Sequence, residues 1–311
     1  MHRLALYVFW EKNGIVHDHV TWYLNGLKEV AQDIMVIVNG LLSANDRRKL
    51  EKLGVDILVR DNIGYDFAAW KAALNHKGWA ALAKYDEIIL CNCSCYGPVY
   101  PLSEMFGVME KRTCDFWGIN RQPDAPEHLV GPKDARFPMT EHIQSYFYVF
   151  RSNALCAPAF RQWWDELEVC PDYWDEIRLH EMRFSPWLEL HGLVGDTFMD
   201  FEKYKRLSPQ GDANFNCPDT QLIEDRNPLV KRRLIFGSSE ACRRTLATLW
   251  QMENFPFLMI VRDMKRNTDC SFKSRLKNRL QTLFPGKSAR RSAVRLWKIE
   301  LISQLDTKGD K

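Results

Sequence analysis

No stretch of this chain approaches the roughly 18 to 20 uncharged apolar residues that a membrane-spanning helix requires. The start, MHRLALYVFWEK, is too short for a secretory leader and lacks a small-residue cleavage site. Both absences point to a protein that stays in the cytosol. Charge of one sign is missing too: 43 basic residues stand against 40 acidic, a formal net of +3, and nothing in that balance suggests a nucleic-acid binder. There is no internal repeat and no low-complexity tract, so repeat architectures are excluded. The nine cysteines are an odd number, scattered and without a C-x2-C pair, which fits reduced thiols better than a disulfide framework. What is present is 46 % hydrophobic and 12 % aromatic content over 311 residues, enough for one large core or two modest ones.

The first 120 residues alternate between two patterns. LALYVFW (4–10), IMVIVNG (34–40), VDILVR (55–60) and DEIILCN (86–92) are apolar runs of strand length. Between them, Val20, Tyr23, Leu24, Leu27, Val30 and Ala31 recur at helical spacing. A polar helix starts at Ser43, with Asp46 completing a short capping box, and a further helix covers about Tyr65 to Asn75. Repeated β-α-β units predict an α/β fold: a mostly parallel, doubly wound sheet flanked by helices on both faces. In such sheets ligands bind beyond the carboxyl ends of the strands, which singles out VNGLLS, RDNIGYDF and NCSCYGP.

Beyond residue 120 the pattern loosens. CDFWGIN (114–120) and the aromatic, alternating HIQSYFYVFRS (142–152) read as strands, with the long Pro-rich RQPDAPEHLVGPKDARFPMT between them, typical of a mobile or substrate-covering segment. APAFRQWWDELE is a helix whose Trp163 and Trp164 are packing residues, and YWDEIRLHEMRFSPWLELHG is a helix pair broken at Pro186 and stopped at Gly192. From Arg262 to Lys298 twelve Lys or Arg face two Asp, interleaved with apolar residues. That stretch reads either as a basic amphipathic surface for anionic bilayers or as a solvated end. The expected organisation is a domain over 1–260, with a nucleotide-binding half to about 120 and an acceptor half from 121, followed by a basic tail over 261–311.

Two stretches invite chemistry. Cys91, Cys93 and Cys95 alternate and so face one side of an extended chain. Without a second pair elsewhere they make neither a zinc knuckle nor a redox pair, and small buried strand residues are the better reading. In RDNIGYDFAAWKAAL, Arg60 ends a strand, Asn62 and Gly64 form a turn, and the helix from Tyr65 begins, giving an anion-friendly lip. Asp66 either caps that helix or bonds a base or ribose.

Taken in order, RDNIGYDFAAWKAAL, YDEIILCNCSCYGP, CDFWGI, HIQSYFYVFRSNAL, HEMRFSPWLELHG and RNPLVKRRLIF resemble the rhamnan synthesis F family of bacterial cell-surface polysaccharide glycosyltransferases, over about residues 3 to 236. The resemblance implies a GT-A-like fold with a Rossmann-related sheet and a nucleotide-activated donor, often dTDP-rhamnose, used to extend a lipid-linked or polysaccharide acceptor on the cytoplasmic side. It implies a donor site at Arg60, Asn62, Gly64, Tyr65, Asp66, Asn92, Ser94 and Gly97. In the family the stretch after the fourth strand usually reads Asn-Asp-Ser, followed by Gly-Pro, where GT-A enzymes carry Asp-x-Asp. This chain keeps Asn92, Ser94, Gly97 and Pro98 but has Cys93 in place of the carboxylate. A thiol is a poor ligand for Mg or Mn, so the expectation is weakly metal-bound or metal-independent transfer.

Glu181 matches the family's Glu motif and stands where many GT-A enzymes keep their acidic base, with Asp115 as second candidate for catalysis or for orienting the donor sugar. His142, Gln144 and Ser145 are expected beside the pocket. Trp117 and Tyr146 either stack on sugar faces or pack the core. The first functional reading is therefore a hexosyltransferase, cytoplasmic and peripheral on the inner face of the plasma membrane through residues 262–298. The alternative is a catalytically inactive relative that binds nucleotide or glycan within a polysaccharide assembly complex.

Overall fold

The computed structural model describes residues 1–123, 141–207, 219–236 and 240–266. It divides into two compact units, Met1–Leu234 and Ile235–Lys311.

The first unit opens with the expected alternation: β1 (Arg3–Phe9), α1 (Asp18–Leu27), β2 (Asp33–Asn39), α2 (Ala44–Lys52), β3 (Asp56–Arg60), α3 (Tyr65–Lys77), a short α4 (Trp79–Leu82) and β4 (Glu87–Asn92). Ser43 caps α2 as its spacing predicts, its hydroxyl accepting from Asp46 N at 3.1 Å. Shorter pieces follow: β5 (Cys95–Tyr96), α5 (Leu102–Met109), β6 (Phe116–Gly118), β7 (Arg121–Gln122), β8 (His142–Ile143), β9 (Phe147–Arg151), α6 (Ser152–Cys156), α7 (Pro158–Glu166) and α8 (Tyr173–Glu176). A π-helical turn (Ile177–Glu181) leads into α9 (Met182–Leu190), β10 (Gly195–Thr197), α10 (Phe201–Leu207), α11 (Asp219–Glu224) and β11 (Val230–Lys231).

Seven strands form the central sheet in the order β10-β6-β9-β4-β1-β2-β3. Strand β9 runs antiparallel to both its neighbours, and every other pairing is parallel, as expected of a mostly parallel sheet. Every residue of β1 and β4 is buried, which is what continuous apolar runs require when helices cover both faces. Alternate side chains of β1 divide between two cores. Ala5, Tyr7 and Phe9 meet residues of α1 and α5 such as Tyr23, Leu24 and Phe106, while Leu4, Leu6 and Val8 meet residues of α3, α7 and α9 such as Trp70, Trp164 and Phe184. Trp163 and Trp164 are packing residues, as expected, and both lie in the second core.

Two expectations are corrected. The single strand over 142–152 is two, because Gln144 and Ser145 turn the chain: Gln144 N donates to Asn120 O, and β8 pairs with β7 outside the main sheet. The break in the helix pair falls at the π turn and not at Pro186, which lies inside α9. Gly192, at φ +85°, follows the end of α9 as expected.

The two edges of the sheet differ. At the amino edge, Glu87 at the start of β4 takes hydrogen bonds from Arg3 Nε (2.5 Å) and Arg151 Nε (3.3 Å). Arg3 also reaches Glu110 at 2.7 Å, and Arg151 donates to the carbonyls of Met109, Arg112 and Cys114. Buried charges so fully paired close that edge. The carboxyl edge is left to loops.

In the second unit, α12 (Glu240–Gln251) and α13 (Leu258–Arg266) bury Leu249 and Ile260, and Trp250 meets Phe257 edge to face at 5.3 Å. The basic stretch over 262–298 lies outside the described residues beyond Arg266, as does the Pro-rich loop over 124–140. No described helix is long and apolar enough to cross a membrane.

Candidate active site

Strands β1 to β4 and β6 all end on the carboxyl edge, and β9 begins there. Trp10, Asn39, Arg60, Asn92 and the turn at Ser145 and Tyr146 therefore share one rim. Arg60 braces the β3–α3 turn: it donates to Asn39 Oδ1 at 2.7 Å and to Ile63 O at 2.5 Å. Asn39 Nδ2 in turn holds Tyr65 O at 3.2 Å. The clamp matters because Gly64 (φ +72°) and Tyr65 (φ +47°) are both left-handed, an unfavourable state for tyrosine that its surroundings must maintain. A Cβ on Gly64 would meet Val169 Cγ1 at 2.6 Å and Ala68 Cβ at 2.7 Å, so only glycine fits. Asn62 is exposed in this turn. The amide lip expected to hold a phosphate is already engaged: Phe67 N, in the first turn of α3, donates at 3.0 Å to Glu176 Oε1, whose carboxyl burial pushes up to about 8.

Asp66 is not a cap. The N-cap of α3 is Gly64, and Asp66 Oδ2 accepts from Asn92 Nδ2 at 2.7 Å instead. Burial pushes its carboxyl up to about 6, with the negative charge of Glu181 adding to the rise and Asn92 and Lys231 opposing it. Asn92 Oδ1 accepts from Ser94 N (3.1 Å) and Ser94 Oγ (2.6 Å), which fixes the loop where the family carries its carboxylate. Burial raises the Cys93 thiol, and its Sγ points at Trp10 O at 3.7 Å. A neutral thiol beside an amide oxygen already engaged twice does not fit Mg or Mn, which take hard oxygen ligands.

Cations occupy that position. Strand β11 returns antiparallel to β5, pairing Lys231 with Cys95. Arg232 N donates to Ser94 O at 2.9 Å, and its guanidinium donates to Cys93 O at 3.3 Å. Lys231 Nζ lies 4.4 Å from the Tyr146 ring centroid. Burial lowers the Lys231 ammonium, while Cys95, Glu181 and Asp66 act to keep it charged. This return also explains Gly97. At φ +143°, a Cβ there would sit 2.5 Å from Pro228 O, so Gly97 admits the segment leading into β11.

Glu181 ends the π turn, a helical irregularity frequent at functional sites. Its Oε1 accepts from Ser145 N at 3.1 Å. Burial acts to raise its carboxyl, but Lys231, His142 and the Ser145 N–H outweigh it and hold Glu181 below the usual value, as an anion. Gln144 is tied to Gln122 at 2.8 Å, and the buried Tyr146 hydroxyl accepts from Asn120 Nδ2 at 2.9 Å.

Two expected residues leave the site. Trp117 is 1 % exposed, packed on Phe106 and Phe147 at 5.0 and 6.0 Å, and presents no face to a sugar. Asp115 precedes β6 and lies at the amino edge, where Arg151 N donates to its carbonyl level with Glu87, about 16 Å along β4 from Asn92. There its carboxylate accepts from Val194 N at 2.8 Å and Asn153 Nδ2 at 3.3 Å. Sequence reasoning missed Trp10, Asn39, Lys231 and Arg232. The run Lys231-Arg232-Arg233 was the available signal, but its place depends on a pairing remote in sequence. A cavity of about 320 Å³ lies outside the rim, lined by Tyr100, Phe198, Lys203, Asp225 and Arg226 among others.

The sequence matches the family described as Rhamnan synthesis protein F over residues 34–298, and the chain belongs to that family. A curated relative, an uncharacterised protein of Sinorhizobium fredii, is 24 % identical over 196 residues, covering 61 % of this chain. The chain spans only 46 % of that relative's length. Among solved structures, a cytidylyltransferase of Leptospira borgpetersenii is 9 % identical with a TM-score of 0.42, covering 86 % of this chain and 94 % of its own. TarS of S. aureus is 11 % identical with a TM-score of 0.38, covering 91 % of this chain and 80 % of its own. Core-mannan synthase A of Aspergillus fumigatus, in an Mn/GDP form, is 8 % identical with a TM-score of 0.31, covering 62 % and 70 %. At these scores none of the three bears on the chemistry.

Proposed function

We propose that this chain is a glycosyltransferase that moves a hexose, rhamnose in the leading reading, from a nucleotide-activated donor such as dTDP-rhamnose to a growing cell-surface polysaccharide. The observation that carries the reading is Glu181, held as a carboxylate by Ser145 N–H and Lys231, beside the Asn92–Ser94 loop on which Lys231 and Arg232 converge. Glu181 accepts the proton of the acceptor hydroxyl as that oxygen bonds the anomeric carbon and the bond to the diphosphate breaks. Lys231 and Arg232 offset the charge that grows on the leaving diphosphate, the task a metal performs in metal-dependent relatives. Asp66, aligned by Asn92, accepts from a donor hydroxyl. The exposed rings of Trp10 and Tyr173 flank the rim for base stacking.

Turnover of nucleotide sugars, followed as released nucleoside diphosphate, tests this. Glu181→Gln is expected to lower kcat by about 10²- to 10⁴-fold while donor affinity holds. Unchanged turnover removes Glu181 from catalysis. Donor binding without turnover in the wild type favours the inactive-relative reading, to which Cys93 already lends support.

A further inference from the structure

Behind the rim, on the α3 side, Cys170, Glu176 and His180 form a cluster that the transfer reaction does not use. All three are buried, at 4 %, 5 % and 5 % exposure, and one ligand atom from each lies within 4.8 Å of the other two. His180 Nε2 stands 3.2 Å from Cys170 Sγ and 3.7 Å from Glu176 Oε2. The main-chain oxygen of Glu168 is 2.9 Å from the same nitrogen and 4.0 Å from the sulfur. Among the described residues Glu176 Oε2 has no hydrogen-bond partner, although its residue is almost wholly buried. A buried carboxyl oxygen facing a thiol and an imidazole, with its hydrogen-bonding capacity unused, is an arrangement that costs stability unless something completes it.

We infer that Cys170, Glu176 and His180 bind a zinc ion, with the Glu168 carbonyl or a water as fourth ligand. Zn–S near 2.3 Å and Zn–N or Zn–O near 2.0 Å imply ligand atoms about 3.3 to 3.5 Å apart in a tetrahedron, so the observed spacing closes with small side-chain rotations. Thiolate, imidazole and carboxylate together suit zinc and not Mg or Mn, and the thiol proton passes to solvent on binding. The orienting contact exists: Glu176 Oε1 is fixed by Phe67 N, one residue from Asp66. The ion thus ties the segment between α7 and α8 to the π turn and to the start of α3, and it supports the rim without entering the reaction.

The test uses the full chain and does not depend on transferase activity. After purification and removal of loosely held metal, elemental analysis is expected to find one zinc per chain. Replacement by Co(II) should give a sulfur-to-cobalt charge-transfer band. Cys170→Ser should abolish the band and weaken zinc, measured against a chromophoric chelator, by more than the 10- to 100-fold typical of losing an outer-shell partner. Cys156→Ser, at an exposed thiol, should change neither. Should Cys170→Ser fail to fold, the wild-type cobalt spectrum and the rise of Tm with added zinc decide alone. A chain that binds no stoichiometric zinc, or whose cobalt spectrum lacks the thiolate band, overturns the inference. A band that survives Cys170→Ser does so equally.

Discussion

Asp66 and Glu181 face the same rim, yet their environments push them in opposite directions. Glu181 is kept ionised, whereas Asp66, raised to about 6, begins to take up a proton just below neutrality. Since the role we propose for it is to accept a hydrogen bond from the donor, activity should fall as pH drops through about 6, and Asp66→Asn should remove that limb from the pH–rate profile. The stability consequence has the opposite sign. A carboxyl whose folded value is raised costs nothing below its ordinary 3.8, and the cost is fully present above about 6. Thermal melts should therefore show Asp66→Asn gaining on the wild type at pH 8 and losing that advantage in acid. An advantage that persists or grows in acid would contradict the sign. At this scale the sequence was partly legible. Arg60, Asp66, Asn92, Ser94 and Glu181 stand at or beside the rim because strand ends and helix starts are local features. Lys231 escaped notice because β11 has two residues and no period of its own. Asp115 was misplaced because a short strand does not reveal which of its ends faces the ligand.

Helix α9 holds one face of the sheet through a single side chain more than any other. The Phe184 ring is fully buried and meets Phe67, Tyr148, Phe150, Trp163 and Trp164 at 5.2 to 5.6 Å. Phe184→Ala is expected to cost about 3 to 5 kcal/mol in chemical denaturation, by lost burial plus the cavity left behind. A loss below about 1 kcal/mol would mean that this face rearranges freely. The long strands β1, β2 and β4 and the helices α1, α2, α3 and α7 were readable from apolar runs, helical spacing and one cap. Where reading failed, the reason is physical. Two- and three-residue strands such as β7, β8 and β10 take their form from tertiary pairing, and a proline signals a helix break only where its missing N–H is needed.

For the whole molecule, the near-even charge balance leaves a local basic excess over residues 262–298. We propose that this stretch brings the enzyme to an anionic membrane surface, where a lipid-linked acceptor is presented. The full chain should pellet with vesicles containing anionic lipid, less so as salt rises, and truncation after Arg262 should abolish the effect. Binding indifferent to salt would refute the electrostatic origin. The central claim concerns the other end of the reaction: the donor's diphosphate is held at the rim by Lys231 and Arg232 with no hard divalent ion. Titration calorimetry of nucleotide sugars into the purified chain in EDTA tests it directly. The account predicts saturable one-to-one binding that Lys231→Ala weakens about 10- to 100-fold, the loss of a charged hydrogen bond worth about 1.5 to 3 kcal/mol. Binding that requires Mg or Mn and ignores Lys231, or no binding of any nucleotide sugar, would contradict it.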